Sequence, residues 1–245
     1  MPEIDEQKFY NAGIENLWNN NPDKALNNFN KVIELNPIFG NAFSYRGLCK
    51  HKLNDIKGAF DDINKSQQIN KNNPLNYFFM GIIYLDADLE KAKLLFNVVI
   101  DLDPNFSINK GGNAYIMRGK IKMHQQDYHS ALDDFNKGLE LNPKIAGFYI
   151  ERGLVKQSLQ EFQGSIDDFN KAIEMDPNLE KKCPDIYINR GISKGILLNL
   201  EGSLDDFTKA IEINPRIASV YSHRGCVKQG LQDLQGAIDD FTKAI

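Results

Sequence analysis

The chain has 245 residues, 42% hydrophobic and 25% charged, enough apolar material for a sizeable core in one or two domains or a single array. Its net charge of −4 and pI near 5.6 exclude a broad nucleic-acid or anionic-membrane surface, because both need clustered excess Lys and Arg. No stretch reaches the roughly 18–20 apolar residues needed to cross a bilayer, and the acidic opening MPEIDEQKFY lacks a signal-peptide run. Cys49, Cys183 and Cys226 are odd in number and widely spaced, so neither a disulfide framework nor a CxxC pair is expected, and the default compartment is reduced and cytoplasmic.

From the N-terminus onward the chain repeats itself, which must be settled before any local reading. Gly13, Gly47, Gly81, Gly119, Gly153, Gly191 and Gly225 recur at intervals of 34, 34, 38, 34, 38 and 34 residues. The first unit, 6–39, sets Ala25, Phe29 and Pro37 after its glycine. The second runs 40–73, and the third, 74–106, ends in DLDP at Pro104 but is one residue short at its LDADLE turn. A short insertion, SINKG, precedes the fourth unit, 112–145, with Ala131, Phe135 and Pro143. The fifth, 146–179, carries Ser165, Phe169 and Pro177 and is followed by a second insertion, EKKC. The sixth, 184–217, has Ser203, Phe207 and Pro215. The seventh, 218–245, has Ala237 and Phe241 but stops at FTKAI where the sixth continues FTKAIEINP. The last unit therefore reads as truncated, and the chain is expected to continue in a longer protein, since helical arrays normally close with a polar capping element.

This pattern resembles the tetratricopeptide repeat, a helix–turn–helix unit of 34 residues with an aromatic, a Leu-Gly, a Tyr, an Ala, a Phe and a closing Pro. The resemblance covers nearly the whole chain. It implies an all-α fold, a right-handed α-solenoid of about seven helix-turn-helix repeats with the last one truncated, forming a single domain over 1–245. Its physics is plain: positions 4, 8 and 11 of the first helix (A) share one face. Glycine at position 8 lets two helices approach, the small residue at 20 does the same for the second helix (B), and Phe at 24 fills the gap. Proline at 32 stops helix B. One departure stands out. Five units read Arg-Gly in place of Leu-Gly, at Arg46, Arg118, Arg152, Arg190 and Arg224. The same five carry Asp61/Asp62, Asp133/Asp134, Asp167/Asp168, Asp205/Asp206 and Asp239/Asp240 on helix B. A repeated Arg–Asp pair follows, worth about 0–1 kcal/mol each if partly exposed and so a matter of register more than stability.

Catalytic and metal readings fail on the residues. Asp pairs at one repeated structural position describe an ion-paired helix face rather than acid–base chemistry. His124 and His129, five residues apart across a turn, fit no helical metal pair, and no metal or cofactor is expected. LDADLE lacks the glycine and distal glutamate of a calcium loop and reads as a helix-capping turn. Lys110-Gly111-Gly112 lacks the ending of a phosphate loop and reads as a hinge. A cysteine nucleophile has no visible histidine partner. The chain is therefore expected not to be an enzyme.

In the family, helix A lines an inner, concave surface through positions 2, 5, 9, 12 and 13. Carried over by register, the candidate partner-binding residues are Tyr10, Ile14, Leu48, Phe78, Ile82, Ile116, Lys120, Ile150, Leu154, Gln157, Ile188 and Ile192. Positions 5, 9 and 12 fall at i, i+4, i+7 and form one stripe. Its apolar middle suits an apolar segment or an amphipathic helix, unless those side chains pack against the neighbouring unit instead. The carboxylate clamp of the chaperone-tail branch needs Lys at position 5 and Asn at position 9 of the first unit, where Tyr10 and Ile14 stand, so that partner is disfavoured. The expected function is a non-catalytic scaffold for a protein or peptide partner, with no nucleic acid and no membrane. The rival readings are a regulatory or targeting arm of an enzyme lying beyond Ile245, and a self-assembly module.

Overall fold

A computed structural model describes residues 2–108 and 112–245, with side chains from Asp5 onward. The expected hinge at Lys110–Gly111 lies outside the described residues. Among them are fifteen helices and one pair of two-residue strands. The chain forms two compact units, Met1–Ile121 and Lys122–Ile245. In the first, three helical hairpins follow one another: α1 (Pro2–Trp18) with α2 (Pro22–Leu35), α3 (Gly40–Lys52) with α4 (Ile56–Ile69), and α5 (Pro74–Tyr84) with α6 (Leu89–Leu102). Strands β1 (Ser107–Ile108) and β2 (Gly112–Asn113) pair antiparallel, and α7 (Ala114–His124) begins. The second unit takes over within α7 and continues with α8 (Tyr128–Leu141). It adds the hairpins α9 (Ala146–Ser158) with α10 (Phe162–Met175), α12 (Pro184–Ile196) with α13 (Leu200–Ile213), and α14 (Ala218–Gly230) with α15 (Leu234–Lys243). Helix α1 begins at Pro2, ahead of the first unit read from the sequence. The two insertions were not given a structure there: the first supplies β1, which pairs with β2 at the start of the fourth unit, and the second most of a single turn, α11 (Leu179–Lys182).

Local chemistry explains where each helix starts and stops. Helix B is capped by Asp55, Asp88, Asp127, Asn199 and Asp233, whose side chains accept from the backbone N–H three residues on. The Asp88 contact makes LDADLE the capping turn expected of it. Before the B helix of the other six repeats one residue enters the left-handed region: Asn20, Asn54, Gln126, Gln160, Leu198 and Gln232. The third repeat, one residue shorter, has none. At the far end, Asn36, Asp103, Asp176 and Asn214 accept from the N–H two residues on, closing the turn into the next hairpin.

The glycine at position 8 is required by a side chain sixteen residues later. A Cβ added at Gly13 or Gly225 would stand 2.7 Å from the ring of Phe29 or Phe241, and at Gly153 or Gly191 3.0 Å from Phe169 or Phe207. At Gly81 it would meet Phe96 at 2.7 Å. Of these rings Phe29, Phe96, Phe169 and Phe207 sit in the core essentially without exposure, so they have nowhere to move. In the first unit the core also carries an aromatic chain, Tyr10 to Tyr45 at 5.7 Å and Tyr45 to Phe79 at 5.1 Å between ring centroids.

The Arg–Asp pairs are not the part-exposed surface pairs that the sequence suggested. The side chains of Asp62, Asp168, Asp206 and Asp240 are only 7, 5, 4 and 2% exposed. Each accepts two bonds from its arginine: Nε of Arg46, Arg152, Arg190 and Arg224 at 2.8–2.9 Å, and Nη2 at 2.5–2.8 Å. A lysine one turn after the arginine (Lys50, Lys156, Lys194, Lys228) adds an ion pair at 2.8–2.9 Å, and Lys122 does the same for Asp134 at 2.8 Å. The first Asp of each pair stays in solvent. The guanidinium also reaches backward. Nη1 of Arg46, Arg118, Arg152 and Arg190 donates to Asn30, Asn97, Asn136 and Asn170 of the preceding hairpin at 2.7–2.9 Å. Arg224 finds Thr208 there at 3.3 Å. The plane lies over an aromatic ring three residues earlier, Tyr149 for Arg152 at 5.5 Å and Tyr187 for Arg190 at 5.2 Å. Lysine and asparagine were both in the sequence at fixed offsets, but pairing Arg with Asp alone passed over them.

Three outcomes follow from this packing. Gly81→Ala drives a methyl into a fixed ring and is expected to lower stability by about 1–3 kcal/mol, whereas Gly147→Ala, with nothing within 4 Å, should be neutral or mildly stabilising; paired urea melts read both. Asp168→Ala strands Arg152 and Lys156 in a poorly hydrated site and should cost about 3 kcal/mol, while Asp167→Ala, on the same helix but exposed, should stay within about 0.5 kcal/mol. Burial alone would raise the Asp240 carboxyl, but hydrogen bonds and charge from Arg224 and Lys228 outweigh it and hold it below the ordinary 3.8. The unfolded chain therefore takes up that proton first as pH falls. The stabilisation is whole well above 3.8 and disappears as pH drops through and below that value. The stability difference between the unaltered chain and Asp240→Asn should be constant from about pH 7 to 5 and shrink below about pH 4, measured by urea midpoints across that range.

Candidate partner-binding surface

The twelve residues placed on helix A by register divide sharply by burial. In the first unit Leu48, Phe78 and Ile116 are buried, so they follow the second course open to them, packing within the array, and offer no surface to a partner. Phe78 touches Phe96 at 5.6 Å and Phe106 at 5.5 Å between ring centroids. Tyr10 is half-buried between Phe39 at 4.9 Å and Tyr45; burial pushes its hydroxyl well above the ordinary tyrosine value. Ile14, Ile82 and Lys120 are half-buried.

The inner positions of the first unit are also partly occupied by the chain itself. Phe106, Ser107 and Ile108 line the same cavity, about 320 Å³, as Tyr10, Ile14 and Trp18, and Ile108 is buried in the first core. Sequence reasoning counted Phe106 in the third unit and read the following SINKG only as a short insertion. The signal available was two apolar residues, Phe106 at the end of that unit and Ile108 inside the insertion.

The second unit keeps its inner face more open. Ile150 and Leu154 on α9, with Ile188 and Ile192 on α12, are each half-buried, packed below on the core of Phe169 and Phe207 and exposed above. Gln157 lies on the same stripe but serves as a strut, its Nε2 donating to the Asn189 carbonyl at 2.9 Å and to Ser193 Oγ at 3.0 Å on the next A helix.

The remaining reactive side chains have structural explanations. Cys49 is fully buried, and burial pushes its thiol up to about 12, so it keeps its proton at neutral pH. Burial, ahead of the opposing charge of Asp86, holds His51 below the usual histidine value. His124 ends α7 and His129 lies in α8. Among the described residues no cluster of His, Cys, Asp and Glu could hold a metal ion, and no helix is long and apolar enough to cross a membrane.

A chain of helical hairpins with glycine-seated aromatics and a half-open apolar stripe on its A helices defines a class of helical-repeat protein. Residues 112–145 and 146–179 each match a family model described as tetratricopeptide repeat. A TPR repeat-containing protein of Methanocaldococcus jannaschii, MJ1428, is 26% identical over 150 residues, covering 54% of this chain and 26% of its own length. The chain thus spans little more than a quarter of the relative it matches. Among solved structures, pilF of Pseudomonas aeruginosa is similar with a TM-score of 0.71 at 13% identity, over 95% of this chain and 98% of that one. YrrB, described as a TPR protein with an unusual peptide-binding site, gives 0.60 at 19% identity, over 84% and 98%. Likeness at this identity shows the fold. Residues 112–179 thus read as two tetratricopeptide repeats, and the fold class of the chain is the all-α solenoid of tetratricopeptide-repeat proteins.

Proposed function

We propose that the chain is a non-catalytic protein-interaction scaffold whose seven repeats act as one array and whose A helices hold a peptide or helix of a partner protein. The observation that carries this reading is the half-exposed stripe of Ile150, Leu154, Ile188 and Ile192. Apolar side chains at i and i+4 on two successive A helices, anchored below and wet above, match the apolar face of an amphipathic helix. The printed description of YrrB as having a peptide-binding site belongs to that protein and supports the reading by fold analogy. Under this reading the work is binding without a cofactor, in a cytoplasmic setting.

The test compares the unaltered chain with a Leu154→Glu/Ile188→Glu variant, shown by circular dichroism and thermal melting to remain folded, as baits in a lysate of source cells. The expected result is a protein retained by the first and weakened at least about tenfold in the second, since tenfold is about 1.4 kcal/mol and each buried aliphatic side chain contributes about 1.5–3 kcal/mol. Equal retention by both baits would remove the inner face of the second unit from the account.

A further inference from the structure

The turn between α12 and α13 breaks two rules that the other repeats keep. Where the chain enters the left-handed region, five of the six residues are Asn or Gln, side chains at home in solvent. The sixth is Leu198, at φ 61° and 81% exposed. Leucine at positive φ is strained, and leucine in water forgoes its burial. Its neighbours Ile196 and Leu197 are 51 and 45% exposed.

The second break is Gly195, which stands where the preceding repeat has the Gln157 strut. The partners of that strut, Asn189 and Ser193, are replaced 34 residues on by His223 and Val227. With no side chain to span the joint, a recess of about 330 Å³ opens beside the exposed turn. Its walls are mostly apolar, Ile192, Leu200, Phe207, Cys226 and Val227, with Ser203 and His223 the polar side chains among them.

We propose that this turn and recess form a self-association site, in which Leu197–Leu198 of one copy enters the Gly195 recess of a second copy and receives the same in return. A protruding apolar group beside an apolar hollow on one surface is what a two-fold, isologous contact requires. Charge points the same way. The chain carries −4 overall, so copies repel in most orientations, yet Gly195–Leu200 and the following turn, Gln229–Gln232, hold no ionisable side chain. Lys194 is ion-paired with Asp206 at 2.8 Å and its side chain is only 17% exposed. A surface with so little exposed charge has little to steer a charged foreign partner and little to repel its own image. Three side chains and one hollow fall short of the roughly 800 Å² per partner of standard interfaces, so the dimer is weak and concentration-dependent.

The experiment is sedimentation equilibrium of the chain, of Leu198→Asn and of Gly195→Gln, from about 1 to 300 µM, a span chosen for interfaces below standard size. The first variant restores the residue type of the other turns and should melt no lower than the unaltered chain, so loss of association cannot be loss of fold. The unaltered chain should move from monomer toward dimer, and each variant should associate at least about tenfold more weakly, a loss of about 1.4 kcal/mol. Alkylation of Cys226, mapped by mass spectrometry, should slow with rising concentration in the unaltered chain alone. A monomer throughout, or a Leu198→Asn variant that dimerises like the parent, overturns the proposal. Because the purified chain meets no foreign partner here, the result is independent of the scaffold reading.

Discussion

Five of the seven repeats are each organised around one buried carboxylate. A charge taken out of water is tolerated only when paired and hydrogen-bonded, and Asp62, Asp168, Asp206 and Asp240 sit on helix B with both oxygens committed to helix A. Arginine is suited to this task because its fork gives two parallel bonds to the carboxylate and still has a third N–H for the preceding hairpin. One side chain therefore sets the angle within a hairpin and ties it to its neighbour. The glycine that follows it in sequence admits a core side chain of helix B, Ile63 after Arg46 and an aromatic ring after Arg152, Arg190 and Arg224, so the polar and apolar devices that close a repeat are adjacent residues.

The two units spend their inner faces differently. The first is aromatic and largely self-filled: Tyr10, Tyr45 and Phe79 pack edge to face, and Phe106–Ile108 lies against the same positions. The second replaces Tyr45 and Phe79 with Glu151, Asn189 and His223 at that register and leaves its isoleucines half open. Recognition by the second unit would therefore require little rearrangement, whereas the first presents a surface on which its own insertion already rests.

Much of this fold was legible in the sequence because its signals are spacings. The glycine series gave the repeat boundaries, and the short LDADLE turn is visible as the one hairpin without a left-handed residue. The candidate surface was less legible. Register says which residues of helix A face inward, but burial depends on what lies across from them, and Leu48 at position 9 is covered while Ile192 at the same position is only half-buried. Likewise the Arg–Asp spacing showed that a pair exists, but its value turns on solvent access, which a one-dimensional pattern does not carry. Strand β1 and most of the one-turn helix α11 arise from the insertions, which have no repeat to compare with.

Where the pair occurs, arginine and carboxylate are sixteen residues apart, and the same sixteen separate glycine from aromatic ring in every repeat but the second, which has Ile63 there, and the third. In the third repeat the loop is shortened by one residue, the glycine-to-ring interval is fifteen, and the arginine and aspartate are both missing. Both insertions, by contrast, fall between hairpins and leave every such interval untouched. The sixteen-residue interval is thus the unit that heredity has to transmit whole. Copying a 34-residue block carries both spacings with it, and the insertions put changes of length at the joints, whereas the one repeat shortened inside the interval closes on its aromatic ring without the arginine–aspartate pair, as the first repeat also does.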